Sequence, residues 1–487
     1  MPYNDLREYV ARLEAEGEVH RITREVDWNL EAGAIARRAL DVKALAPFFW
    51  KLRGYPAGYS ILASQWSAST DASRYFAKLA LAFDLPPDIS ATNLVEEVIK
   101  IWKRPPIEPV VVSSGPCQEE IHTGDDINLF EFPVPFIHQG IGGRYIGTFD
   151  TCISRDPETG WTNWGMYRIM VHDERTLGFF WHQPQTHMAL HYRKYEQQNK
   201  PMPFAIVLGT EPITPIISCR RLPPQVNEAD VIGGIRGKAV ELVKCQTVDL
   251  EVSATAEIVI EGEILPRERK LEGPFAETPG YFSLDSSGLR AIGKVTAITH
   301  RHHPILPLLL AGTPPNDDFM MNAVMRSALA TDYLRTQGFP VKMVYFHPEI
   351  GPQLALIVTK VPFANFAKHL ATVLIGQAGG REVRPHVMVF DEDVDVTNLG
   401  EAMFALATRC SPAHGISVIN DLHIGQLAPF LSREEREKGL GGACAIHDCT
   451  WPYHWPKEDI PTKGSFDMLW PGDVQEKVLK NWAKYGF

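Results

Sequence analysis

The sequence predicts a mixed α/β (α+β) fold in three parts, and three observations point to it. The chain has 487 residues, more than one hydrophobic core ordinarily fills. Pro105-Pro106 and the run Ser113-Ser114-Gly115-Pro116 punctuate it near residue 115. From about 120 to 310 short strand patterns dominate, and beyond about 320 strand and helix patterns alternate. The expected organisation is an N-terminal α/β cap over 1–115, a barrel-like β domain over 116–315 and a C-terminal α/β domain over 316–487.

Each part follows from local patterns. Asn4 can cap a helix whose apolar residues Leu6, Tyr9, Val10 and Leu13 recur at helical spacing, and Gly17 stops it. A strand at 18–22 and a helix at 30–39 follow. In the middle, the run from Asp249 to Gly262 alternates for much of its length, as a strand with one wet face does. Strands at 343–345, 355–358, 387–390 and 416–419 then alternate with helices at 363–375 and 399–408. The final segment, 474–485, places Val474, Val478, Leu479 and Trp482 on one face, which suits docking on a neighbouring domain or subunit.

Composition narrows the function. A net charge of −11 argues against a nucleic-acid partner, because phosphate binding needs clustered Lys and Arg. No stretch approaches the roughly 20 apolar residues of a membrane span. The start, Met1-Pro2-Tyr3-Asn4-Asp5, lacks a basic region followed by an apolar run. The seven cysteines are odd in number and scattered, which fits reduced thiols. A cytoplasmic protein is expected. Cys444 and Cys449 flank His447, but no second ligand pair follows at zinc-site spacing.

Three clusters carry chemistry: Thr162-Asn163-Trp164-Gly165-Met166-Tyr167-Arg168, Gln183-Pro184-Gln185-Thr186-His187, and Glu272-Gly-Pro-Phe-Ala-Glu277. In the last, two carboxylates five apart straddle a Gly-Pro turn in an apolar setting. Such pairs can give one ionised group and one proton donor, although two solvated loop glutamates would read the same way. Asn163 and His187 could each be a metal ligand or a satisfied structural group.

These segments, with Met170-Val-His-Asp173 and Val243-Lys-Cys245, resemble the UbiD family, and within it the fungal ferulic (cinnamic) acid decarboxylases. The likeness runs from Val26-Asp-Trp-Asn-Leu-Glu31 to Lys480-Asn-Trp-Ala-Lys-Tyr-Gly-Phe487, nearly the whole chain. It implies reversible, non-oxidative decarboxylation of an aromatic, heteroaromatic or α,β-unsaturated acid with prenylated FMN as electron sink. The central part would then be a split-barrel-like flavin domain. Arg168, Glu272 and Glu277 would be the catalytic set: Arg168 orienting the substrate carboxylate, Glu272 fixing the guanidinium, Glu277 returning a proton to the carbon that loses CO₂. Asn163, His187 and Glu228 would hold Mn²⁺ (or Mg²⁺) on the cofactor phosphate, with Asp230, His182 and His191 as rival ligands. Met166, Gln185, Ser218, Cys219 and Arg220 would complete the cofactor site, and Ser218 with Glu228 would line a potassium site. A separate flavin prenyltransferase would supply the cofactor, and a homodimer or higher oligomer is expected.

Two departures from the resemblance bear on specificity. Gly376-Gln-Ala-Gly-Gly380 has no lysine where the ferulic-type enzymes place one near the cofactor phosphate, and Arg220 could replace that charge. Asp318, Asn322 and Gln426 stand where the cinnamate pocket is apolar or threonine, with Asp317 the alternative if the alignment shifts by one. These polar groups favour a ring bearing N–H or phenolic O–H, such as a pyrrole, indole or hydroxybenzoate acid, over plain cinnamate. A non-catalytic flavin- or metal-binding protein would have no use for the Glu-Arg-Glu set. A metal-dependent hydrolase would need an open metal position that the phosphate is expected to fill.

Overall fold

The computed structural model describes residues 3–181, 186–276, 280–282, 287–377, 384–424 and 428–487. Helix Leu6–Ala15 buries Leu6, Tyr9, Val10 and Leu13. Asp5, not Asn4, is its cap, accepting from the Glu8 N–H, because Asn4 reaches forward to the Glu8 carboxylate. Gly17 takes the left-handed backbone (φ +70°) that ends the helix. Strands Val19–Ile22, Ala46–Phe49 and Ser60–Ala63 form a small sheet, completed by Ile305–Leu308 lying parallel to Ser60–Ala63. The first and central parts of the chain therefore share a sheet.

The central body is a large curled sheet. Its path runs Arg144–Gly147, Arg168–Asp173, Thr176–Phe180, Gly288–His300, Ile258–Glu272, Met202–Leu208, Asp150–Arg155 and Thr162–Gly165, and Glu120–Thr123 adds to Gly288–His300. The long pair Ile258–Glu272 and Gly288–His300 shifts register after Glu261 and again after Ile264. Bulges of this kind bend strands and let a sheet curl.

The run from Asp249 to Gly262 is not one strand. Glu251–Ser253 pairs with Glu241–Lys244 in a three-stranded sheet, whereas Ile258 onward belongs to the large one. Between them Ala256 N–H bonds back to Ser253 O, and Glu257 turns its carboxylate onto Arg7. Alternation in sequence cannot distinguish one long strand from two in different sheets.

Helix Asp317–Thr336 leads into a five-stranded sheet ordered Val341–Tyr345, Leu354–Thr359, His386–Phe390, Ala443–Cys449, Ile416–Asn420, with helices Phe366–Gly376 and Leu399–Arg409. The terminal helix covers only Gly472–Lys480; the chain turns at Asn481 into a single 3₁₀ turn, Trp482–Tyr485. Leu479, Trp482, Tyr485 and Phe487 are exposed. The seven cysteines are free, and no helix among the described residues is long and apolar enough to cross a membrane.

One ion-pair cluster joins the first helix to the central body. The fully buried Glu257 carboxylate accepts from Arg7 Nε and Nη2, both at 2.8 Å, from Ile305 N–H at 3.1 Å, and lies 3.4 Å from Arg301. Removing one partner of a buried pair strands the other charge. Arg7→Ala is expected to cost about 2 kcal/mol, below the usual 3–5 because Arg301 remains. A lower thermal midpoint measures it; an unchanged one would show that Arg7 is dispensable.

Candidate active site

The centre of the site is a pair between two strand ends. Arg168 opens the strand Arg168–Asp173 and Glu272 closes Ile258–Glu272. The curl of the sheet brings these ends together although two strands separate them. Arg168 Nε donates to Glu272 Oε1 at 2.9 Å and Nη2 to Oε2 at 2.8 Å. Tyr145 Oη adds a donor to Oε1 at 2.9 Å, and the Glu272 side chain is fully buried. Burial, with the Glu272 charge beside it, pushes the Tyr145 hydroxyl up, so it stays a donor. The Arg168 guanidinium also lies over the Phe180 ring, 3.9 Å from its centroid. Phe180 stands opposite Arg168 in the strand register, which fixes that contact.

Arg168 lines a cavity of about 410 Å³, walled by Phe180, Phe275, Leu309, Ala311 and Ile424 among apolar groups. Asn163, Met166, His187, Ser218, Cys219, Arg220, Glu228, Asp318 and Asn322 line the same cavity. These residues come from the central sheet, from helices His187–Gln197, Ile213–Ser218 and Glu228–Arg236, and from helix Asp317–Thr336. Glu277, Gln185 and Gln426 lie outside the described residues, as do His182 and most of the lysine-less Gly376–Gly380 stretch.

One wall gathers metal-ligating chemistry. Asn163 sits in strand Thr162–Gly165 with its amide nitrogen turned 3.1 Å from His187 Nδ1. Glu228 begins its helix, is 1% exposed, and accepts from Trp164 N–H at 2.9 Å. Burial raises its carboxyl to about 7, against the pull of that backbone donor. The Asn163 oxygen accepts from the Trp164 and Gly165 N–H groups, both at 3.0 Å, so the buried His187 and Glu228 are the members with the chemistry to take a divalent ion. The rivals point elsewhere: His191 Nδ1 meets Ser154 Oγ at 3.0 Å, and Asp230 is 3.4 Å from Asn227 Nδ2. Ser218 Oγ donates to Thr214 O, and the Cys219 thiol is pushed up to about 12 by burial, which leaves it protonated.

Another part of the lining is a polar chain. Arg220 Nη2 donates to Asn322 Oδ1 at 3.1 Å, and Arg326 Nε donates to the same atom at 2.6 Å. Asn322 Nδ2 donates to Asp318 Oδ1 at 2.8 Å and to Asp318 O at 2.9 Å. Asn322 is thus fully engaged and holds Asp318 rather than presenting itself to a ligand. Burial raises the Asp318 carboxyl, while Arg326 and Arg220 pull it back down. Asp317 faces away, accepting from Trp66 N–H at 2.7 Å. Arg220 is tied into this wall and is not a solvated loop residue. Arg326 was missed, although its place four residues after Asn322 on one helix face was readable. Tyr145 and Phe180 carried no local signal.

The comparisons cover the whole of this architecture. Residues 10–98, 109–314 and 319–449 match the N-terminal, Rift-related and C-terminal domains of 3-octaprenyl-4-hydroxybenzoate carboxy-lyase. The chain belongs to the UbiD family. It is 33% identical to the pyrrole-2-carboxylic acid decarboxylase of Pseudomonas aeruginosa, over 99% of this chain and 98% of that one. It is 28% identical to ferulic acid decarboxylase 1 of Saccharomyces cerevisiae, over 100% and 99%. The vanillic acid decarboxylase of Sedimentibacter hydroxybenzoicus, in its open form, superposes with a TM-score of 0.84 at 30% identity over 100% of both chains. HmfF of Pelotomaculum thermopropionicum, a UbiD-class enzyme solved with FMN, does so at 0.81 and 27% identity over 95% and 97%. As a UbiD-family member the chain is a carboxy-lyase.

Gly178 leaves room for the His172 ring beside the central pair. A Cβ there would stand 2.7 Å from His172 Nε2, and in ordinary contact with Glu272 Cγ at 3.5 Å. Gly178→Ala is therefore expected to destabilise this UbiD protein by about 1–3 kcal/mol, the range for overpacking, and to lower decarboxylation with it. A melt and a rate indistinguishable from wild type would refute the tight fit.

Proposed function

We propose that this UbiD enzyme carries out reversible, non-oxidative decarboxylation of an aromatic or heteroaromatic acid bearing a ring N–H or phenolic O–H. The observation that carries the reading is the buried Arg168–Glu272 pair, with Phe180 against the guanidinium and Asp318 lining the same cavity as Arg168.

The residues present fit a flavin phosphate held through a cation. Asn163, His187 and Glu228 would hold Mn²⁺ or Mg²⁺, Ser218 with Glu228 would line a potassium site, and Arg220 would supply the charge that the ferulic-type enzymes take from a lysine. Prenylated FMN, when bound, supplies the electron sink that decarboxylation of an unsaturated acid requires. The chain's own groups do the rest. Glu272 takes two donors of the guanidinium, so Arg168 meets the substrate carboxylate in one orientation. Glu277 donates the proton to the carbon left by CO₂, and in the reverse direction accepts it. The apolar walls keep water from the reacting carbon. A flavin prenyltransferase supplies the cofactor. The exposed Leu479, Trp482 and Phe487 suit burial in a homodimer or larger assembly, since patches of this kind mark interfaces.

Two experiments test this. In protein produced with a flavin prenyltransferase, Glu277→Gln should lower turnover by at least about 10²-fold, the usual share of a positioned general acid, with cofactor still bound. Arg168→Lys should do likewise, since an ammonium cannot make the paired bonds. Full activity in either variant would remove that residue from the reaction. For the substrate, a panel of pyrrole, indole, hydroxybenzoate and cinnamate acids should show the donor-bearing rings preferred, and Asp318→Ala should erase the preference. A donor-bearing ring leaves no unpaired polar group at Asp318, whereas cinnamate does. Cinnamate turned over fastest, with the others inert, would overturn the specificity while leaving the decarboxylase class intact. The phenolic members of the panel decide between a heteroaromatic and a phenolic acid, as both satisfy Asp318.

A further inference from the structure

Away from the cavity, the large sheet holds a second group of metal-ligating side chains: His122, Glu131 and His300. Strand Glu120–Thr123 pairs antiparallel with Gly288–His300, with His122 opposite Ile298 and His300 opposite Glu120. His122 and His300 are therefore diagonal neighbours on one face, their ring centroids 5.2 Å apart. Glu131 reaches them from the single turn Leu129–Glu131, which Asn128 caps and which Leu129 N–H anchors to Glu174 O. His122 Nδ1 is 3.0 Å from Glu131 Oε2, and His300 Nε2 is 3.2 Å from Oε1. One ligand atom from each of the three lies within 4.8 Å of the others, and no further such group occurs among the described residues.

The setting of His300 is the second observation. Its Nδ1 is 2.8 Å from the Arg301 carbonyl oxygen, which fixes the ring so that Nε2 is the atom turned to Glu131. The residue is 1% exposed, and Nε2 makes no hydrogen bond of proper geometry although the Glu131 carboxylate is close. A positive charge between Nε2 and the carboxylate satisfies both, and a metal ion supplies it as a proton would. A carbonyl-oriented imidazole beside a carboxylate is the arrangement that metal sites use. Tetrahedral Zn²⁺ with bonds of about 2.0–2.1 Å places its ligand atoms roughly 3.3 Å apart, close to the 3.0 and 3.2 Å that separate each histidine from one oxygen of Glu131. Tyr59 Oη, 3.3 Å from Glu131 Oε1, supports the carboxylate from behind. An open surface groove, lined by His122 and Glu131 with Tyr55, Asp126 and Asn128, leaves room for a water as fourth ligand.

We propose that His122, Glu131 and His300 bind a divalent transition-metal ion of the zinc class, separate from the cavity set of Asn163, His187 and Glu228. Two imidazoles select such an ion over Mg²⁺ or Ca²⁺. The ion pins the strand Glu120–Thr123 and the turn Leu129–Glu131 to the long strand Gly288–His300. The site shares no residue with the decarboxylation cavity.

The test uses the full-length protein, stripped with a chelator and titrated with Zn²⁺ alone against a chromophoric competitor, with bound metal counted by mass spectrometry. Substitutions His122→Ala and Glu131→Gln alter partly exposed side chains, and decarboxylase activity and circular dichroism report that the fold is kept. Each should lose one equivalent of Zn²⁺ or weaken it by at least about 100-fold, more than loss of an outer-shell partner causes. Glu228→Ala should retain that equivalent, which separates this site from the cavity. Full zinc binding in either His122→Ala or Glu131→Gln overturns the proposal, the cluster being then a histidine–carboxylate ion pair only. Loss of all tightly bound zinc in Glu228→Ala overturns it as well.

Discussion

The rest of the molecule depends on a charged pair that the curled sheet closes over. Glu272 is fully buried, and an unpaired carboxylate there would be far too costly to keep ionised. Arg168 removes that cost through two parallel bonds, and Tyr145 supplies a third donor. Arg168 and Glu272 stand on strands separated by two others, so the pair and the curvature support each other, while Tyr145 stands on the strand paired beside Arg168. Bulges in the long hairpin provide the bend.

Around this pair the chain divides its polar groups between two walls. One wall carries Asn163, His187 and Glu228, the set proposed to take a cation, and burial raises the Glu228 carboxyl to about 7. The other wall, Arg220, Asn322, Arg326 and Asp318, is an interlocked chain in which Asn322 is saturated, and all four line the cavity. The decarboxylase reading thus rests on one buried ion pair, and the substrate reading on a separate carboxylate. The terminal segment adds a third feature: its aromatic face is exposed in the single chain, which suits an assembly.

Much of this was legible in the sequence. Helical spacing located Leu6, Tyr9, Val10 and Leu13 in the core, and strand–helix alternation located the C-terminal layer, because both patterns are local. The motifs around Asn163, Arg168 and Glu272 named the family, and the comparisons agree. Other features required the tertiary structure. The run from Asp249 to Gly262 divides between two sheets, since pairing partners are chosen by distant strands. The terminal helix stops at Lys480, where the chain turns at Asn481. Tyr145, Phe180 and Arg326 joined the site only through contacts across the sheet or along a helix face that no motif marks.

The sequence by itself determined the class of chemistry through its resemblance to the UbiD family, because motifs in family order are a property of residue types and spacing. Only the tertiary structure decided which polar groups remain for a substrate. Asp317 and Asp318 are adjacent and chemically alike, yet one is spent on the Trp66 backbone while the other opens on the cavity. That difference is a matter of about 100° of helix rotation per residue, and only the packing of helix Asp317–Thr336 against its neighbours sets the rotation.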